Sequence, residues 1–159
     1  MKARIARAAS IALLAGLLEA PVSTHHSFAM YDQTKTVTLT GVVTRFVAQA
    51  NHAEIHFVLV APDRKALAKT DEGKYVEWGV EMAGAAAIAQ QGITPATFGV
   101  GTVFSVRLNP LRDGSNFGSR VGALARCPVD PSTSKPKLPE SGKHCDSVSG
   151  HALSGGTTF

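Results

Sequence analysis

Hydrophobic and polar residues alternate in four stretches of this chain. Residues 35–47 place Val37, Leu39, Gly41 and Val43 on one face with threonines between them, which predicts a long first strand. Phe46 falls out of phase, so a bulge or sharp bend is expected near Gly41. Residues 53–60 put Ile55, Phe57 and Leu59 opposite Glu54, His56 and Val58, a second strand ended by Pro62. Residues 75–82 group Val76, Trp78, Val80 and Met82 against Glu77 and Glu81, a third strand. Residues 102–109 alternate through Phe104, Val106 and Leu108 as a fourth, closed by Pro110, and residues 120–126 give a short fifth.

Between these stretches the period changes. Residues 83–91 are rich in alanine and predict a helix, with Gly92 as its stop. Residues 63–74 are polar and lysine-rich, which reads as a solvated connector, and Asp113-Gly114 is a turn signal. From residue 127 onward Pro, Ser, Gly and Lys dominate, predicting an irregular tail. Three strands, a helix and two strands is the element order of an OB-type five-stranded barrel, all-β with one short helix. A small β-sandwich is the runner-up.

The beginning of the chain follows a different logic. Lys2, Arg4 and Arg7 precede a short apolar run over residues 11–18, the pattern of a secretory signal. The run is too short to span a bilayer. The expected organisation is a signal peptide at 1–24, a lead-in at 25–34, the OB-like domain at 35–126 and a disulfide-closed tail at 127–159. The expected location is periplasmic or extracellular.

Charge changes meaning once that segment is set aside. The 159-residue chain carries 16 Lys+Arg against 12 Asp+Glu; without Lys2, Arg4, Arg7 and Glu19 the balance is 13 against 11. No basic run survives, so nucleic acid is not an expected partner. With 44% apolar and 6% aromatic residues, one modest core is expected. Cys127 and Cys145 are the only cysteines, and export favours a disulfide between them over a metal or nucleophile role.

Enzyme motifs are absent: no Gly-x-Ser-x-Gly elbow, no His-Glu-x-x-His helix and no phosphate-binding glycine loop. Glu77 and Glu81 would stand roughly 13 Å apart along a strand, too far for a carboxylate pair. The histidines are the remaining chemistry. His52 and His56 are also roughly 13 Å apart if extended, and His144 and His151 fall in the tail. Cleavage after Thr24 would make His25 the new N-terminus, where its amine, its imidazole and His26 offer nitrogen ligands suited to copper.

An OB-type barrel gathers ligands on strands two and three and on the loops joining strands one to two and four to five. Those loops supply His52, Arg112, Asp113 and Asn116, with Trp78 flanking them. Arg112 and Asp113 read equally well as turn-forming residues. A binding module for a small molecule, a glycan or an envelope protein is the leading expectation, and a copper carrier using His25 and His26 is the alternative.

Four segments carry a resemblance: His-His-Ser-Phe-Ala-Met at 25–30, Thr-Leu-Thr-Gly-Val-Val at 38–43, Pro-Leu-Arg-Asp-Gly-Ser at 110–115 and Gly-Lys-His-Cys-Asp-Ser at 142–147. Together they resemble a family of exported bacterial proteins of unknown function, which implies a signal peptide and an OB-like domain. The family's loop after the first strand usually reads Asn-Pro-His. Here it reads Ala50-Asn51-His52, so the histidine matches and the proline does not.

Overall fold

The computed structural model describes residues 28–155. The segment expected to be a signal peptide and the His25-His26 pair therefore lie outside the described residues. The chain builds strands β1 (Val37–Ala48), β2 (His52–Leu59), β3 (Glu77–Ala83), β4 (Val103–Pro110), β5 (Phe117–Arg126) and β6 (Ala152–Ser154). One short helix, α1 (Ala85–Gln90), stands between β3 and β4.

The sheet runs β3-β2-β1-β4-β5-β6, and a parallel pairing of β3 with β5 closes the first five strands into a barrel. Closure leaves those strands with few unpaired edges. The inward positions of β2, Ala53, Ile55 and Phe57, are fully buried and meet Val80, Phe104, Val106 and Leu108 in one core. Phe104 packs edge-on against Phe57 at 5.1 Å and against Phe98 at 5.8 Å.

The irregularity of β1 lies elsewhere than expected. Pairing with β2 slips between Val43 and Arg45, so the bulge is at Thr44 and not near Gly41. The extra residue brings Phe46 back into phase, and Phe46 packs on the core with Val37 and Leu39. Gly41 is needed for a different reason. A Cβ there would meet the Phe57 ring and come within 2.7 Å of the Val58 carbonyl oxygen.

The helix stops at Gly92, whose φ is +75°. The Gly92 N–H bonds to Ala89 O and the Ile93 N–H to Ile88 O, the paired bonds of a Schellman motif. Ile88 and Ile93 are thereby turned into the core.

Two further segments depart from expectation. The 63–74 connector is not merely solvated: Leu67 bridges Val60 and Lys69 bridges Tyr75, so it folds back along the end of β2. The tail is not wholly irregular either, because Ala152–Ser154 pairs with Leu124 to Arg126 of β5. Cys127 and Cys145 form a disulfide, buried with Ala125 in a small second core beside Val103 and Leu138. No helix among the described residues is long and apolar enough to cross a membrane.

Candidate functional site

The lead-in is tied to the loop between β4 and β5 by backbone pairing. Tyr31 bridges Leu111, the Asp32 N–H donates to Pro110 O at 2.8 Å, and the Arg112 N–H donates to Met30 O at 3.0 Å. The Arg112 side chain continues the pattern, its Nε donating to Ala29 O at 3.0 Å. Gly114, with φ of +81°, turns the loop, and the Leu111 N–H reaches Phe117 O to close it.

Asp113 shapes the turn. Its carboxylate accepts the Ser115 N–H at 2.9 Å, and the Ser115 backbone and hydroxyl hold its pKa below the usual carboxylate range. Asn116 contributes its carbonyl, which accepts the Gly79 N–H at 3.0 Å and so seats the loop beside β3.

These ties enclose a cleft of about 360 Å³. Trp78, Pro110 and Leu111 supply apolar walls, and Lys35, Arg112, Asp32 and Ser115 supply polar groups. Asp32 is committed internally: the Thr34 hydroxyl first and Lys35 second hold its carboxyl down to about 2. Its Oδ2 lies 3.1 Å from Lys35 Nζ. Arg112 spends only Nε on the lead-in; among the described residues its terminal amino groups make no hydrogen bond or ion pair, and their donors remain available to a bound molecule.

The cleft unites Trp78 and Arg112 with the Asp113 turn. His52 stands apart: it pairs with Ala83 at one end of the β2–β3 ladder, while Trp78 pairs with Phe57 five residues along β2, roughly 17 Å by strand rise. Asp32 and Lys35 were not among the residues expected from sequence. They arrive from the lead-in and the residue after it, some 75 residues earlier in the chain, and no local pattern marks them.

The outward face of β2 and β3 is already furnished. His56 Nε2 lies 2.8 Å from Glu54 Oε2 and 3.0 Å from Arg45 Nη2. The Phe117 ring lies over Gly79, where a Cβ would collide with it. Tyr31 is only 2% exposed, and its hydroxyl has no partner in hydrogen-bond geometry. Burial first, then the carboxylates of Glu81 and Glu54, push its pKa up to about 12, so the phenol stays neutral. Among the described residues no group of three or more His, Cys, Asp or Glu is arranged to hold a metal ion.

A family model described as a family of unknown function, DUF6152, matches residues 13–120. The match runs from before the described residues through the lead-in and the barrel as far as the first residues of β5. No curated protein and no solved structure matches the chain.

Proposed function

This chain belongs to the DUF6152 family of unknown function, and we propose that it is a binding module whose cleft beside Trp78 takes a small anionic ring compound, an acidic sugar above all. One observation carries the proposal: a single cleft joins an indole to an arginine with unused donors and a lysine. The C–H face of a sugar ring stacks on an indole, and a carboxylate fits the planar guanidinium bidentately. Ser115 then has the ring hydroxyls to bond. The volume lies at the lower end of the range for small-molecule sites, which suits one or two rings and not a long glycan.

Trp78 is the only tryptophan in the chain, so its fluorescence reports the cleft directly. Titration with monomeric uronic acids and with the matching neutral sugars is the test. Saturable change with the acids, weaker with the neutral sugars, is the expected result. No response to any acid, or an equal response to neutral sugars, would contradict the reading.

The same proposal puts the module in the periplasm or outside the cell. The basic start and apolar run before residue 25 support it, and an oxidising compartment suits the Cys127–Cys145 bond. A mature N-terminus at His25, read by mass spectrometry of protein from its native compartment, is the expected result. Copper capture by His25 and His26 is a separate proposal, supported by sequence alone. Cu(II) titration of the processed chain against one with an extra N-terminal residue tests it, and equal affinity in both would reject it.

A further inference from the structure

A second recess lies on the outside of the barrel, between the folded-back connector and the disulfide-closed tail. Its floor is apolar: Val42 and Val103 face each other across β1 and β4, and Val60, Leu67 and Leu138 complete it. All five side chains are only half-buried, so apolar surface remains open to solvent. The groove measures about 360 Å³, and two walls bound it.

The charged residues of the groove are all of one sign. Arg64, Lys65 and Lys135 line it and no carboxylate does. Among the described residues none of the three forms an ion pair, whereas Lys35, Lys74, Arg107 and Lys137 each sit beside an acid. Arg64 is held with φ at +61°, a backbone conformation that costs energy for any residue but glycine. One amino group donates to Glu140 O at 2.8 Å, linking connector to tail, and its buried Nε has no partner.

We propose that this groove binds a free single-chain amphiphile with an anionic head, a medium-chain fatty acid being the simplest. The alkyl chain covers the valines and leucines, and the carboxylate meets Arg64, Lys65 and Lys135. Walls on both sides and a small volume suit one chain and leave no room for a helix or a bilayer. Lys135 and Leu138 lie inside the loop closed by Cys127 and Cys145, so the disulfide holds one wall in place.

Calorimetric titration of the disulfide-bonded protein with hexanoate, octanoate and decanoate, all below micelle formation, tests the proposal, with decanol as the uncharged control. Each added methylene is expected to tighten binding about fourfold. Loss of the charge, in decanol, is expected to weaken it about tenfold. Lys135 is exposed, so Lys135→Glu should leave Tm unchanged and weaken decanoate about tenfold. Arg112→Ala, in the other cleft, should leave decanoate binding intact. Equal affinity for hexanoate and decanoate, no saturable binding, or full affinity in Lys135→Glu would overturn the proposal. So would loss of decanoate binding in Arg112→Ala, because it would move the ligand to the Trp78 cleft.

Discussion

At the scale of single residues, two glycines separate backbone from side-chain crowding. A methyl at position 41 would press on the Val58 carbonyl, which the β1–β2 ladder holds fixed. At position 79 it would meet side chains alone, the Phe117 ring and, at 3.5 Å, His56 Cε1, with no backbone atom in the way. Gly41→Ala should therefore cost about 1–3 kcal/mol in urea unfolding, and Gly79→Ala distinctly less. His144 makes a second residue-scale prediction. Its side chain is 1% exposed, and Nδ1 lies 3.3 Å from Asp146 Oδ2 without hydrogen-bond geometry. Burial first and Arg107 second push its pKa below the ordinary 6.5, which Asp146 offsets only in part. The unfolded chain then binds the proton more readily than the folded one. Stability is complete above about 6.5 and falls as pH drops through that value toward the folded pKa. His144→Gln should flatten the decline in Tm from about pH 7 to about pH 5, and an unchanged slope would assign the decline to other groups.

At the scale of elements, alternation was enough to find β2, β3 and β4, because each turns an apolar face into the core, even where the tail or a neighbouring strand covers part of the other face, as at Val58 and Ser105. Phe46 announced a phase change in β1 without saying where, since the ladder with β2 and not the sequence decides which residue is extruded. β6 was illegible: Ala152–Ser154 is too short to carry a pattern and takes its pairing from the open edge of β5. A chain ending at His151 should lose roughly 5 °C in Tm, because β5 loses its ladder partner and Gln91 O loses the Gly155 N–H. No change in Tm would make β6 an ornament of the edge.

At the scale of the whole molecule, the tail is held by one covalent tie as well as by β6. A disulfide spanning 18 residues contributes about 3 kcal/mol by restricting the unfolded chain. Reduction should lower Tm by about 10 °C, and a drop of less than about 3 °C would mean the tail is held without it. The site was half legible for a topological reason. The OB-type order points to the β4–β5 loop, so Arg112 and Asp113 could be singled out in advance, and parallel closure of β3 on β5 carries Trp78 to that loop. Asp32 and Lys35 could not be anticipated, because bonds between segments far apart in sequence, from the Asp32 N–H to Pro110 O and from Arg112 Nε to Ala29 O, bring that part of the chain there. His52 belongs to the far end of the β2–β3 ladder. In the proposed ligand site, Arg112 serves the ligand more than the fold. The most direct test is Arg112→Ala, measured for uronic-acid binding by Trp78 fluorescence and for Tm in the same samples. Affinity should fall at least tenfold, about 1.4 kcal/mol, with Tm within about 3 °C of the parent, since only one exposed bond to Ala29 O is removed. Unaltered binding with a Tm lowered by about 10 °C would contradict it and make Arg112 a clamp for the lead-in.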